Sequence, residues 1–219
     1  MAFRGWKVEA LEFFEGLEAD NSKAYWQRSK DVYERLVRAP MEELLAELAP
    51  DWGDGRLFRP YRDVRFSADK SPYKTHIGAR IGPSGYVQLS ADGLAAGCGM
   101  WEMAPDQLER YRRAVDDEGT GQELAAMVAR VRKAGLDVMA HGALKTAPRG
   151  YPKDHARVEL LRLKGLATWQ AWPAGAWLGT ARAKDKVVAF FQASKPIDRW
   201  LTEHVGPPRA PYGRPAQRM

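Results

Sequence analysis

The sequence predicts an α+β protein, and three observations support this class. Before residue 52, apolar residues recur at spacings of three and four, which is typical of amphipathic helices. From about 57 to 101 they alternate with polar residues, which indicates an antiparallel meander of strands. Helical spacing returns after Pro105. We therefore expect an antiparallel sheet packed against N-terminal, middle and C-terminal helices.

The N-terminal pattern predicts three helices. The first carries an apolar, mainly aromatic stripe that we place against a core. Its apolar positions are Phe3, Trp6, Ala10, Phe13, Phe14 and Leu17. We predict that Asn21 caps the second helix, which continues to about Val37. Pro40 suits the first turn of a third helix, and the glycines of 52–55 end the helical pattern.

The alternating pattern predicts a meander of four strands. They lie at about 57–67, 73–82, 86–91 and 94–101. In the first strand, Phe58, Val64 and Phe66 fall on one face, which we assign to the core. Arg62 falls on the same face and, if buried, needs a carboxylate or several carbonyl partners, because an unpaired buried charge is costly.

The second half of the chain predicts further helices and two additional strands. Apolar spacing from Leu108 to Gly135 indicates the middle helices. The other elements are strands near 136–140 and 166–172, a short helix around 159–164, and a last helix from about Arg182 to His204, interrupted or kinked near Pro196. We assign 1–205 to a single α+β domain and 206–219, rich in proline and glycine, to a disordered tail.

Composition bounds the class of protein. The chain has 219 residues, 45% of them hydrophobic, which suffices for one large domain. Its single cysteine, Cys98, excludes an intramolecular disulfide and fits a reducing compartment. No apolar run reaches the length of a signal peptide or of a spanning helix, so we expect a cytoplasmic protein without a membrane partner. The net charge of +6 permits an anionic partner without requiring one.

The segment from Arg56 to His76 is the strongest candidate for a functional site. It holds six cations and two anions, so its excess of four positive charges accounts for most of the net charge of the chain. The cations are Arg56, Arg59, Arg62, Arg65, Lys70 and Lys74, and the anions are Asp63 and Asp69. Arginine and lysine together suit a carboxylate or a phosphate. The alternative is a structural ion-pair network that fixes the hairpin, with Arg62 bound to one of the two aspartates.

Other candidate motifs favour no cofactor and no metal. The run Gly97-Cys98-Gly99 lacks the later glycine and the helix start of a dinucleotide fingerprint, so we interpret Trp101 beside it as a packing or stacking surface. The four histidines lack metal-ligand spacing. His76 and His155 are candidate general acids or bases, with a surface or capping role as the alternative for each.

Nucleic-acid binding is a further alternative for the basic segment. Single-stranded nucleic acids are bound by cations interleaved with exposed aromatic rings. With Phe58 and Phe66 assigned to the core, only Tyr61 lies beside exposed cations. The sequence therefore predicts too few rings for a stacking platform, and we keep nucleic acid as the second choice of partner.

The chain resembles domain-of-unknown-function family 2461, which comprises uncharacterised bacterial and fungal proteins. The resemblance covers the N-terminal helical pair with Asp20-Asn21, the core from Arg62 to Lys74, and the glycine-rich strand that ends at Trp101. It continues through Leu108, Arg112, 148–151, His155, Leu161 and Lys164. The family implies an α+β domain and a polar site built from the central motif, and it implies no reaction.

We therefore expect a basic pocket that binds an anionic, phosphate- or carboxylate-bearing small molecule. Its predicted ligand-binding residues are Arg62, Asp63, Arg65, Asp69, Lys70, Tyr73, Lys74, Trp101, Lys145, Arg149 and His155. If the protein is an enzyme, Asp63 or Asp69 serves as base and Lys70 as electrostatic stabiliser in a hydrolytic or transfer reaction. A non-catalytic scaffold stays open beside these hypotheses, and the sequence leaves the oligomeric state unspecified.

Overall fold

In the computed structural model, residues 2–209 are described, and they form a six-stranded antiparallel sheet with helices, as the sequence predicts. The helices are α1 (Glu9–Ala19), α2 (Lys23–Val32), α3 (Ala39–Trp52), α4 (Pro105–Asp116), α5 (Glu118–Lys133), α6 (Val158–Leu161) and α7 (Arg182–His204). A π-helical turn, Tyr33–Arg38, joins α2 to α3, and a 3₁₀ turn, Ala176–Gly179, precedes α7.

The strands are β1 (Gly55–Leu57), β2 (His76–Ile81), β3 (Gly85–Ser90), β4 (Gly93–Met100), β5 (Asp137–Met139) and β6 (Leu166–Pro173). Their order in the sheet is β1-β2-β3-β4-β6-β5. In the register, Leu57 pairs with Ala79, His76 with Ser90, and Val138 with Thr168. The strands predicted near 136–140 and 166–172 are thereby confirmed as β5 and β6.

The described chain separates into two compact units. The first contains the residues up to Gly97 together with Gln170–Gln192, and the second contains Cys98–Trp169 and the described residues from Ala193 onwards. The single domain inferred from the sequence stays a prediction. Of the predicted tail, residues 210–219 lie outside the described part of the chain. The backbone carbonyl of Gly206 accepts a hydrogen bond from the Gln107 side chain, at 2.7 Å.

The core of the first unit is largely aromatic. The ring of Phe13 on α1 lies within 6.0 Å of the rings of Tyr25, Trp26 and Tyr33. Gly16 allows α1 and α2 to approach this closely, because a Cβ at this position would lie 2.1 Å from the Tyr25 hydroxyl. That hydroxyl donates to the Phe13 carbonyl at 2.8 Å. The two helices therefore form one packed pair.

The second unit has its own buried core beside α4. The ring of Tyr111 meets that of Trp200 edge to face, with centroids 6.2 Å apart. Both rings direct their polar atoms to carbonyls: the Tyr111 hydroxyl donates to Leu160 at 3.1 Å, and the Trp200 indole donates to Thr120 at 3.1 Å. Trp200 lies on α7, which continues through Pro196 without interruption.

Two sequence predictions on the N-terminal side of the sheet are wrong. The strand expected at 57–67 ends at Leu57, because Pro60 has no N–H to donate and no neighbouring strand continues along this segment. Asn21 does not cap α2. The cap is Ser22, whose hydroxyl accepts the Tyr25 N–H at 3.1 Å.

Candidate functional site

The basic segment forms a long loop between β1 and β2, which we call the 58–75 loop. Its two arms meet at an isolated antiparallel bridge between Tyr61 and Tyr73. Around this bridge, the Lys74 N–H donates to the Pro60 carbonyl at 2.8 Å, and the Arg62 N–H donates to the Pro72 carbonyl at 2.9 Å. Residues 62–72 therefore form the distal part of a closed loop whose base is strand-like.

Two aromatic residues assigned to the core are exposed on this loop. Phe58 is 45% exposed and Phe66 is 90% exposed, so the prediction that they share a buried face is wrong. Alternation alone specifies which side chains share a face, whereas burial requires a layer that covers the face. The aromatic ring that is buried is Tyr73, at the base of the loop.

Stacked rings fix the base of the loop to α2. Trp26 and Tyr73 are nearly parallel, with an interplanar angle of 7° and ring centroids 4.4 Å apart. Tyr61 lies on the other arm, with its ring centroid 5.4 Å from that of Tyr73 and 6.2 Å from that of Trp26. Both arms of the loop therefore contact the helical pair through aromatic side chains.

Asn21 provides a second attachment between the helical pair and the loop. Its side-chain oxygen accepts the Tyr73 N–H at 3.0 Å, and its amide nitrogen donates to the Tyr73 carbonyl at 3.1 Å. The Asn21 side chain thus makes the two hydrogen bonds to Tyr73 that the backbone of an adjacent strand would make. Because Ser22 caps α2, Asn21 is available for this contact across 52 positions of sequence.

Both aspartates of the loop are engaged with arginines. Arg62 forms an ion pair with Asp69, as the ion-pair interpretation predicted. Hydrogen bonds from the Ser71 side chain and then from Arg62 hold the pKa of Asp69 well below its usual range. Arg65 binds Asp63 through two nitrogens, at 2.9 and 2.7 Å. This hydrogen bonding lowers the pKa of Asp63 to about 2.

The low pKa values bear on the catalytic roles predicted for the loop. A carboxylate with a pKa near 2 is a weak proton acceptor at neutral pH, so Asp63 and Asp69 are poorly suited to general-base catalysis. The Lys70 ammonium donates to the Val64 carbonyl at 3.0 Å, across the turn that contains Phe66. The geometry gives these three side chains roles in shaping the loop.

A cavity of about 330 Å³ lies between the loop and the helical pair. It is lined by Glu18, Asn21, Arg62, Asp69, Ser71, Tyr73, Lys74, Thr75 and His76. Four of the predicted ligand-binding residues meet here: Arg62, Asp69, Tyr73 and Lys74. Asp63, Arg65 and Lys70 belong to the same loop and are outside this lining.

Lys74 differs from Arg62, which also lines the cavity, because in the described chain Arg62 is paired with a carboxylate and Lys74 is not. Within residues 2–209 its ammonium forms no ion pair, and its nitrogen lies 5.4 Å from the centre of the Phe58 ring. Burial, and secondarily the nearby Arg59, lower the pKa of Lys74 below its usual range. The protein therefore holds this cation in a place where its charge is disfavoured.

His76 gives the cavity a pH dependence that can be measured. Burial, and then the charge of Lys74, lower the pKa of His76 below its ordinary value of 6.5. The unfolded chain thus binds the proton more readily than the folded chain, so the contribution of neutral His76 to stability is present above pH 6.5 and is lost as pH falls through the lowered pKa. We expect the melting temperature of the wild type to fall more between pH 8 and pH 5 than that of His76→Gln.

A matched variant, His141→Gln, removes an exposed histidine and controls for the loss of one imidazole from the chain. Equal slopes for His76→Gln and the wild type would contradict a depressed pKa at His76. Differential scanning fluorimetry at constant ionic strength suffices for this comparison.

The remaining predicted site residues belong to the second unit. Lys145 and Arg149 are exposed, and Trp101 is 49% exposed, with its ring centroid 6.4 Å from that of His141. His155 has both ring nitrogens engaged. Its Nδ1 accepts the Arg157 N–H at 2.9 Å, and its Nε2 lies 3.3 Å from an Asp116 carboxylate oxygen. This arrangement suits a structural histidine.

Five residues of the cavity are absent from the predicted ligand-binding set, although His76 was predicted as a candidate general acid or base. They are Glu18, Asn21, Ser71, Thr75 and His76. Ser71, Thr75 and His76 flank predicted residues along the chain, so adjacency was a usable signal for them. No pattern in the neighbouring sequence connects Glu18 or Asn21 with a loop some fifty residues later in the chain.

Neither a candidate metal cluster nor a helix suited to spanning a membrane is found among the described residues. Among them, no group of three or more histidine, cysteine, aspartate or glutamate side chains is placed to hold a metal ion. The helices of this part of the chain include none with the length and apolarity needed to cross a bilayer.

Fold and site together define an α+β protein in which a cation-rich loop is attached to an N-terminal helical pair and encloses a small polar cavity with it. The chain belongs to the family described as conserved hypothetical protein (DUF2461), whose model matches residues 9–200. The resemblance inferred from the central motif is therefore confirmed. No curated protein and no solved structure matches the chain.

Proposed function

We propose that the cavity of the first unit binds an anionic small molecule that carries a phosphate or carboxylate group. The observation that carries the proposal is the position of Lys74, a partly buried cation that lines a cavity and has no carboxylate partner in residues 2–209. An anion at this position restores the favourable environment that burial removes from the ammonium.

The other donors of the cavity support the same chemistry. Arg62 uses one terminal nitrogen for Asp69, and its remaining N–H groups are left for a planar anion. A protonated His76 adds a further donor and a second positive charge. A bound anion favours the protonated form of His76, so binding strengthens as pH decreases towards 6.

The size and charge of the cavity limit the ligand. A volume of about 330 Å³ is at the lower end for small-molecule sites, which favours a compact metabolite. Glu18 and Asp69 also line the cavity, and Asp69 is neutralised by Arg62. The charge balance at Lys74 therefore suits one anionic group, with Glu18 available to accept a hydrogen bond from a polar substituent.

A thermal-shift screen tests the proposal. The wild type is melted with inorganic phosphate, sugar phosphates, mononucleotides and small carboxylates. At 100 times its dissociation constant a ligand adds about 2.7 kcal/mol to the free energy of unfolding, which corresponds to a shift of about 5 to 11 °C for a chain of this length. We expect such a shift with one class of anion and its loss in Lys74→Gln.

Lys30→Gln is the matched control, because it removes an exposed lysine of α2 and makes the same change of net charge. It should keep the anion response of the wild type. The proposal fails if no anion in the screen stabilises the wild type, or if Lys74→Gln and Lys30→Gln respond to the anion equally.

We also propose that the protein is cytoplasmic. The support is its cysteine content, since a chain with one cysteine makes no use of an oxidising compartment. Fractionation of cells that express the tagged chain would test this location directly.

A further inference from the structure

We propose that the exposed rings of the 58–75 loop, together with its unpaired cations, bind single-stranded nucleic acid. The aromatic surface consists of Phe58, Tyr61 and Phe66. None of the three rings lines the cavity, so the aromatic surface lies outside the proposed anion site, and of the unpaired cations only Lys74 is shared with that site.

The exposure of these rings is concentrated in one short segment. Over residues 2–209, the large hydrophobic side chains with high exposure are Val8, Phe58, Tyr61, Phe66 and Trp101. Three of them fall between positions 58 and 66. Scattered exposed hydrophobic residues are ordinary on a protein surface, whereas a cluster on one loop indicates a surface used for binding.

Two of the rings are held by neighbouring rings and stay about half exposed. Tyr61 is 49% exposed and packs beside Tyr73 and Trp26. The ring centroid of Phe58 lies 6.2 Å from that of Tyr86 on β3. A fixed, half-exposed ring suits a planar base, because stacking needs one accessible face and little reordering of the side chain.

The charges around the rings suit a polyanion. Asp63 and Asp69 form ion pairs with Arg65 and Arg62, so each aspartate is already balanced by one arginine. Arg56, Arg59, Lys70 and Lys74 have no carboxylate partner in the described chain. Cations also lie directly beside the rings, with Arg65 5.9 Å from the centre of the Phe66 ring and Lys74 beside Phe58. Phosphates and bases alternate in the same way along a single strand.

A single strand fits this surface better than a duplex or a lipid bilayer. A duplex conceals the faces of its bases, so it offers the cations a partner but leaves the rings without one. Insertion into a bilayer needs apolar side chains that protrude, and of the three rings only Phe66, 90% exposed, does so. The half-exposed rings of Phe58 and Tyr61 suit a ligand that itself contains rings.

Fluorescence anisotropy tests the inference with the full chain and labelled oligothymidylate and oligouridylate of about ten nucleotides, a typical site size. We expect binding that weakens with salt, with a slope of log K against log salt of about −3 if four phosphates are neutralised. Phe66→Ala should weaken binding about tenfold, the effect of losing one stacked base. Val8→Ala removes an exposed side chain outside the loop and should leave the affinity unchanged.

Three outcomes would overturn the inference. They are the absence of oligonucleotide binding at low salt, equal or tighter binding of a duplex of the same length, and binding of phosphatidylserine vesicles without binding of oligonucleotides. Phe66→Leu separates the ring from its hydrophobicity. It should weaken oligonucleotide binding as much as Phe66→Ala, whereas a bilayer surface would keep its vesicle affinity. The thermal response to small anions should be the same in all Phe66 variants, so failure here leaves the cavity proposal standing.

Discussion

Replacing Trp26 with alanine should lower the free energy of unfolding by about 3 to 5 kcal/mol, the range measured for large aromatic residues in protein cores. Trp26 is buried, stacks on Tyr73 and lies 4.9 Å from Tyr33 between ring centroids. The substitution removes the ring that joins α2 to the base of the 58–75 loop and leaves a cavity there. For a chain of this length the melting temperature should decrease by roughly 6 to 20 °C.

Two further variants make this prediction specific: a conservative change at Trp26 and the removal of a different, half-exposed tryptophan. Trp26→Phe keeps a ring against Tyr73 and should lose less than half as much stability as Trp26→Ala. Trp101→Ala removes a half-exposed tryptophan and should change the melting temperature by only a few degrees. If Trp26→Ala melts within about 3 °C of the wild type, the stacked pair is not a principal attachment of the loop.

The aromatic attachment also has a functional consequence. Trp26→Phe should respond to the anion that stabilises the wild type, because the loop keeps its base against α2. In Trp26→Ala the loop must be ordered by the ligand itself. The apparent affinity is then the intrinsic affinity multiplied by the fraction of molecules in which the loop is correctly placed. Isothermal titration with both variants below their melting temperatures measures this difference.

The parts of the fold that local patterns specify could be predicted from the sequence. The spacing of apolar residues and a neighbouring turn were enough to place α7 and β3 within about one residue of their observed bounds. The pairing of Arg62 could also be anticipated, since a half-buried guanidinium needs a carboxylate and the loop supplies only two.

The site itself was less predictable, because its formation depends on contacts between distant segments. Phe58 and Phe66 alternate as the residues of a half-buried strand do, but no layer covers that side of the segment, and Pro60 prevents a longer ladder. This error also removed two rings from the nucleic-acid hypothesis. The exposure of those rings, seen only in three dimensions, gives that hypothesis its support.

Asn21 illustrates the same limit for a polar residue. In the run Asp20-Asn21-Ser22, each residue has a side chain that can cap a helix, and the sequence does not specify which one does. Because Ser22 takes the cap, the Asn21 amide is directed to the backbone of Tyr73. A helix-cap residue and a site-positioning residue are therefore adjacent, and substitutions can distinguish their effects.

Asn21→Ala should lower the free energy of unfolding by about 1 to 3 kcal/mol, because the N–H and the carbonyl of Tyr73 lose their partners at a partly buried position. It should also reduce the anion-dependent thermal shift, since Tyr73 and Lys74 are neighbours in the lining of the cavity. Asn21→Asp should weaken anion binding more than Asn21→Ala does. The carboxylate can still accept the Tyr73 N–H, but it faces the Tyr73 carbonyl without a proton to donate and brings a negative charge to the anion site.

Ser22→Ala is the matched control for Asn21→Ala. Loss of the cap should cost about 1 kcal/mol, a similar amount, while the contact between Asn21 and Tyr73 is kept. Measuring unfolding in urea with and without the stabilising anion separates the two residues: both variants lose stability, and only Asn21→Ala loses part of the ligand response. If Ser22→Ala reduces that response equally, the cavity depends on the general stability of α2, and the pair of hydrogen bonds to Tyr73 has no specific role in placing Lys74.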